Sequence, residues 1–259
     1  MEKDTKVNMT SVQIASDLHI EYRNDTVPDP SLFLTPAADI LILAGDIGSL
    51  YKFDQLQTFL GRVCALYQIV LYIPGNHEYY TTPGCTSLCL GALRDRLKRM
   101  EQKFPNLHLL DKNSVRIGRV CIAGCTLWTR PTGRVPQFIV RVHGMDTRVY
   151  REEHKRDLDY ITRMMDYCKE KNLRLLVVTH HPPTYRVLAG GKKKKKFESL
   201  YASNLDALLT KENTKVWVCG HTHRNFDFTT SRGCRVVANQ KGKPRDRVDD
   251  YRRDFVIVI

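Results

Sequence analysis

An α/β fold with parallel strand pairing is predicted by three observations. Apolar runs rich in Ile, Val and Leu, each of buried-strand length, alternate with segments of helical periodicity. Five of those runs end in polar residues able to do chemistry. After Gly220 the pattern shortens to strand-like segments with tight connections, which predicts a second, partly antiparallel sheet.

Taken in order, VQIAS runs into Asp17 and His19, and DILILAG into Asp46. A helical pattern over 53–67 precedes IVLYIPG, which ends in Asn76, His77 and Glu78. Two more helical patterns, 86–104 and 152–171, precede LRLLVVT, which ends in His180-His181-Pro-Pro. A fourth, over 200–211, leads to VWVCG and His221-Thr-His223, and the strand-like segments 226–230, 235–238 and 255–259 close the chain. Each apolar run is β-branched and bounded by Gly or Pro, as a strand buried on both faces requires. With no internal repeat, no phosphate loop of the GxxxxGK[ST] type and no linker-like break in composition, one domain is expected over 1–259.

The 259 residues are 42% hydrophobic and 27% charged, the balance of a globular chain with a sizeable core. No apolar stretch reaches the roughly 18 residues of a membrane span, and the N-terminal segment lacks the pattern of a signal peptide. A cytoplasmic protein without membrane contact is therefore expected. The eight cysteines form no CxxC pair and several lie in apolar runs, which predicts reduced, buried thiols rather than disulfides or a thiolate metal site. The formal charge of +13 makes an anionic partner compatible with the chain. Part of that charge is the run Lys192–Lys196, read as a mobile, solvated loop over 189–198, with a nuclear-targeting or nucleic-acid-contacting role as the alternative.

In a parallel α/β sheet the carboxyl ends of strands converge on one crevice, so the five polar clusters should share a pocket. The inventory is Asp17, His19, Asp46, Asn76, His77, one or both of His180 and His181, His221 and His223. Oxygen and imidazole donors without thiolate suit Mn²⁺, Fe²⁺/Fe³⁺, Zn²⁺ or Ni²⁺. The set exceeds what one ion of about four to six ligands can use, so two ions bridged by one carboxylate are the economical reading. With two divalent cations, two carboxylates and a bridging hydroxide the site carries about +1, which welcomes a phosphate. His108, His143 and His154 are read as structural, and Glu78 as a turn or cap hydrogen-bonding group.

The blocks DLH, GDIG, GNHE, THHPP and GHTH, in this order, resemble those of the calcineurin-like metallophosphoesterase superfamily. The similarity is closest to small cytoplasmic members, through ADILILAGDI, YIPGNHEYY, GMDTRVY, LYASNLDALL and RVVANQKG, and runs from Val12 to about Gly242. The resemblance implies a two-sheet sandwich of mixed β-sheets flanked by α-helices, and hydrolysis of a phosphate ester by a metal-bridging hydroxide. It assigns Asp17, His19 and His223 to one metal, Asn76, His180 and His221 to the other, and Asp46 as the catalytic bridge. His77 resembles the non-ligating histidine that approaches the phosphate and stabilises the transition state or protonates the leaving oxygen. GDIGS differs from the GDxxDRG of Ser/Thr protein phosphatases, so their substrates are not implied, and the block NQKGKPRD departs from the relatives' turn.

For substrate, 126–150 is read as a candidate lip over the metals, where Trp128 either stacks a base or packs in the core, and Arg130, Arg134, Arg141 and Arg148 either fork onto phosphate or stay solvated, with Trp128, Arg130 and Arg148 as the candidate contacts. A small phosphorylated substrate, including a nucleotide-derived metabolite, is favoured, and a diester slightly over a monoester because no second cationic cluster accompanies the metal ligands. A nuclease is the alternative, and a non-catalytic interaction module the third reading, against which the complete ligand set speaks.

Overall fold

The computed structural model describes residues 10–23, 26–188 and 195–259, and for 195 and 196 the backbone alone. Most of the expected Lys-rich loop, including Lys192–Lys194, lies outside the described residues. The strands are β1 (Ser11–Ala15), β2 (Ile40–Ala44), β3 (Ile69–Ile73), β4 (Leu107–Leu109), β5 (Asn113–Ile117), β6 (Val120–Cys125), β7 (Arg174–Thr179), β8 (Val216–Val218), β9 (Phe226–Thr229), β10 (Arg235–Ala238) and β11 (Val256–Val258). The α-helices are α1 (Phe53–Cys64), α2 (Leu90–Lys103) and α3 (Thr147–Glu170).

The strands form two mixed sheets, ordered β11-β1-β2-β3-β4 and β5-β6-β7-β8-β10-β9. Pairing is parallel through β1 to β4 and through β6, β7, β8 and β10, while β11, β5 and β9 add antiparallel edges. Alternation explains the stacking. In β2, Ile40, Ile42 and Ala44 join Leu176, Val178 and Val237 in a core between the sheets, while Leu41 and Leu43 face the opposite way, into a core completed by α1 and α2. In β7, Leu175 and Val177 pack with Ile161, Met165 and Cys168 of α3 in a third core. Helix α1 buries Leu56, Phe59, Leu60 and Val63, the spacing of one helical face.

Helices α1 and α2 fall within their expected segments, and α3 starts earlier than expected because the Asp146 side chain accepts a hydrogen bond from Val149 N at 2.8 Å and caps it. The segment 200–211 is not the expected helix but short 3₁₀ turns around Lys195–Leu200 and Asp206–Leu208. Its amides serve another partner: Ser203 N and Leu205 N donate to the carbonyls of Pro182 and Pro183, pinning the segment beside His181. The short segments after Gly220 do not make a sheet of their own, since β9 and β10 extend the second sheet and β11 returns to the first. Their junction lies at the edge where chemistry is expected, for Ser16, just past β1, pairs with Gln240, just past β10.

All eight cysteines are unpaired thiols, six buried and two, Cys85 and Cys89, exposed. Among the described residues no helix is long and apolar enough to cross a membrane.

Candidate metal centre

The loops leaving β1, β2 and β3 meet those leaving β7 and β8. Backbone hydrogen bonds knit them together: Asp17 N to Gly45 O at 2.9 Å, His19 N to Asp46 O at 3.0 Å, Gly220 N to His180 O at 2.9 Å. To aim their side chains inward, Asp17, His19, Asp46, His221 and His223 all adopt left-handed backbone conformations, with φ between 49° and 72°. Non-glycine residues rarely do so, and a cluster of them marks strain held at a working site. Close approach also demands glycine: a Cβ on Gly75 would stand 2.3 Å from Asp46 Oδ1 and 2.8 Å from His180 Cε1.

Three donor clusters result among the described residues: Asp17, His19, Asp46 and His223; Asp46, His180 and His221; and, beside the first, His19, Glu21 and His77. Asp46 belongs to the first two. Its Oδ2 lies 3.7 Å from His19 Nε2 and its Oδ1 3.3 Å from His180 Nε2. In the first cluster His223 Nε2 is 3.3 Å from Asp17 Oδ1, and in the second the Asn76 side-chain oxygen is 3.0 Å from His180 Nε2.

The hydrogen-bond partners fix the tautomers. His19 Nδ1 donates to Glu21 at 2.9 Å, His223 Nδ1 to Asp246 at 2.5 Å, and His180 Nδ1 to the Ala44 carbonyl at 3.0 Å. The opposite nitrogens point inward, His19 Nε2 facing His223 Nε2 at 3.0 Å and His180 Nε2 facing His221 Nδ1 at 3.2 Å. Ring nitrogens converging at that separation beside carboxylates make a donor set suited to cations. The acid–base balance agrees. Burial pushes the carboxyls of Asp46 and Asp17 up, but the imidazoles around them win: His180 and His77 hold Asp46 well below its ordinary range, and His223 lowers Asp17. Burial opposes charge on His180 as well, but Asp46 raises it to about 9. Carboxylates that draw protons onto ligand-type imidazoles will prefer divalent ions, so the residues present fit a pair of them.

His77 is fixed on both sides, its backbone N–H donating to Asp46 Oδ1 at 2.8 Å and its ring Nδ1 bonding to Glu21 Oε1 at 3.1 Å. Burial lowers its pKa against the pull of Asp46 and Glu21. Glu21 itself, although burial opposes its charge, is held at about 2 by His19 and His77. Glu78 is fully buried and accepts from Asp46 N, Ile47 N, Gly75 N and the Tyr72 hydroxyl at 2.7–3.0 Å, so it anchors the backbone of two motif loops. His181 turns away from both Asp46 clusters, its Nδ1 on the Thr126 carbonyl at 3.2 Å and its ring beside those of Trp128 and His221; burial pushes its pKa down to about 3.

Over the clusters lies a cavity of ≈ 280 Å³ whose wall includes Tyr80, Ile139, Val140, Tyr150, Leu200 and Tyr201. Lys243 and Asp246 stand at its rim. The expected lip is present only in part, through Ile139, Val140 and Tyr150, and its three expected substrate contacts are displaced. Trp128 is 1% exposed, packed between Tyr79, Tyr150 and His181 with its backbone N–H on Asp157, and offers no face to a base. Arg148 lies in the first turn of α3, exposed and paired with Glu152, and Arg130 lines a separate surface cleft with His154. His154 is structural, bonded to the Trp128 carbonyl. A larger cleft of ≈ 970 Å³ at the opposite ends of β7 and β8 contains none of the motif residues and is not the chemical site.

Two carboxylates escaped the sequence reading. Glu21 follows His19 by two residues, a visible signal once an imidazole partner is sought; Asp246 lies in the block NQKGKPRD, where nothing local announces that it reaches His223.

The calcineurin-like phosphoesterase family matches residues 12–225. An uncharacterized protein of Acanthamoeba polyphaga mimivirus is 25% identical, the match covering 92% of this chain and 93% of that protein. Among solved structures, a phosphopantetheinyl hydrolase from Mycobacterium tuberculosis is similar with a TM-score of 0.74 at 19% identity, over 96% of this chain and 95% of that one. A dimetal phosphatase from Danio rerio gives 0.53 at 14% identity, over 88% and 86%.

Proposed function

The chain belongs to the calcineurin-like phosphoesterase family, whose members are metal-dependent hydrolases of phosphate esters, and on that premise we propose a binuclear enzyme acting on a small phosphodiester. Asp17, His19 and His223 would hold one divalent ion and Asn76, His180 and His221 the other, with Asp46 shared between the two. One observation carries this assignment: Asp46 is common to two of the donor clusters, one carboxylate oxygen toward each. Two bound ions supply Lewis acidity to the phosphoryl oxygens and lower the pKa of water. The donor set, imidazole and carboxylate without thiolate, supports Mn²⁺, Fe²⁺/Fe³⁺, Zn²⁺ or Ni²⁺.

The chain's own residues do the rest. Asp46 sets the spacing of the two clusters. His77, held by Glu21 through Nδ1, keeps Nε2 for the leaving oxygen and, in its imidazolium form, donates a proton there. A diester is favoured because, among the described residues, Lys243 is the one lysine or arginine lining the cavity, and Asp246 offsets its charge. The whole chain acts as one catalytic domain, and its eight unpaired thiols suit the cytoplasm. A nuclease reading draws support from the net charge of +13, but the small cavity favours a compact ester.

A panel of bis-nitrophenyl phosphate, nitrophenyl phosphate, cyclic nucleotides, a phosphopantetheinyl diester and single-stranded nucleic acid, with Mn²⁺, Zn²⁺, Ni²⁺ and Mg²⁺, tests this. The expected result is faster hydrolysis of the nitrophenyl diester than of the monoester, with little dependence on salt. Hydrolysis of nucleic acid that collapses with ionic strength would favour the nuclease. No hydrolysis of any ester by protein with two ions bound would end the proposal.

A further inference from the structure

A groove of ≈ 760 Å³ runs beside the catalytic cavity, with Leu200 in the wall of both. The chain that forms its other side continues directly into the cavity: Pro136 and Phe138 line the groove, Ile139 and Val140 the cavity. Pro131, Val135 and Phe197 complete an apolar lining. Phe138 is 78% exposed, while the other exposed large apolar side chains among the described residues reach at most 50%. The walls are tied to each other in advance. Thr129 Oγ1 donates to the Ser199 carbonyl at 2.6 Å and Thr132 N to the Ser199 hydroxyl at 3.1 Å, so polar backbone near the groove is already satisfied. Preformed, largely apolar and sharing Leu200 with the catalytic cavity, the groove has the features of a site for the part of a substrate that does not react.

We infer that the substrate is a phosphodiester with one extended aliphatic arm, which lies along the groove from Leu200 to Phe138 while its phosphate sits at the donor clusters. This rests on the phosphoesterase reading and narrows it. Among the described residues the lining offers a nucleoside three polar uncharged side chains, Thr132, Gln137 and Ser199, and a nucleic-acid strand one cation, Arg134. An aliphatic chain finds two prolines, two phenylalanines, a valine and a leucine.

The test uses the Mn²⁺-loaded full chain and a series of n-alkyl 4-nitrophenyl phosphates from methyl to octyl. Burial of each added methylene should raise kcat/KM, by up to about fourfold per carbon if burial is complete. Phe138→Ser should flatten the rise to under about 1.5-fold per carbon, and Phe138→Leu should keep the rise. A flat wild-type series with an active methyl ester would overturn the aliphatic arm and leave the phosphoesterase reading standing. An identical rise in Phe138→Ser would also overturn it, since the arm would then lie elsewhere. An inert methyl ester with two ions bound would overturn both.

Discussion

Gly75→Ala isolates the geometry of the metal centre from its chemistry, because it removes no donor. Gly75 does not occupy the left-handed region, so alanine is tolerated by its backbone and acts only through its volume. The added Cβ would stand 2.3 Å from Asp46 Oδ1, 2.5 Å from Asp46 N and 2.8 Å from His180 Cε1. Restoring ordinary contact to Oδ1 requires a shift of roughly 1 Å, several times the ~0.2 Å that a metal site tolerates. A displacement of that size costs about 10²-fold in rate. Overpacking itself costs about 1–3 kcal/mol, equivalent to a Tm drop of roughly 2–12 °C in a chain of this size. Metal content by mass spectrometry, kcat on bis-nitrophenyl phosphate and Tm by calorimetry read all three effects. Gly91→Ala is the control: it lies in α2, its Cβ meets only Cys89 Sγ at 4.0 Å, and it should be neutral or slightly stabilising. Gly75→Ala protein with two ions and wild-type kcat would refute the reasoning.

Other perturbations separate the roles of individual groups. His77→Asn should slow an alkyl phosphodiester by about 10²–10⁴-fold and a nitrophenyl ester far less, at unchanged metal content, because only the alkoxide needs a proton to leave; equal slowing would reduce His77 to an orienting group. Asp46→Asn should lower metal content and rate more than Asp17→Asn, since a neutral amide bridges two cations poorly; equal losses in metal titrations would remove the bridge. Asp157 is pushed up to about 7 by burial, against the pull of Lys112. A carboxyl raised in this way stabilises the fold below its unfolded value near 4 and loses that contribution as pH rises through 7. Wild type should therefore lose up to about 1.4 kcal/mol per pH unit between about pH 4 and 7 relative to Asp157→Asn. Parallel stability curves for the two proteins would contradict the shift.

Residues set beside their partners by backbone regularity were legible in the sequence. Asp17, Asp46, Asn76, His180 and His221 each follow a strand whose apolar run is visible, and parallel pairing carries strand ends to one edge. What escaped depends on contacts the sequence does not order. Asp246 meets His223 across 23 positions through an irregular loop, and Trp128 looked available because its burial comes from Tyr79, Tyr150 and His181, contributed by three other segments. The periodicity of 200–211 is real, but Pro182 and Pro183 accept from Ser203 and Leu205 amides, and tertiary hydrogen bonds override the helix. The strand β11 could not be placed because pairing with β1, across more than two hundred positions, is decided by the edge that β1 leaves open.

The central claim is that two ions flank Asp46. Anomalous diffraction at the manganese edge from Mn²⁺-soaked crystals tests it most directly. The expected map has two peaks about 3.5–4 Å apart, one beside Asp17, His19 and His223, the other beside Asn76, His180 and His221, both vanishing in excess chelator together with phosphodiesterase activity. A single peak, peaks remote from Asp46, or full activity in chelator at zero metal content would contradict it.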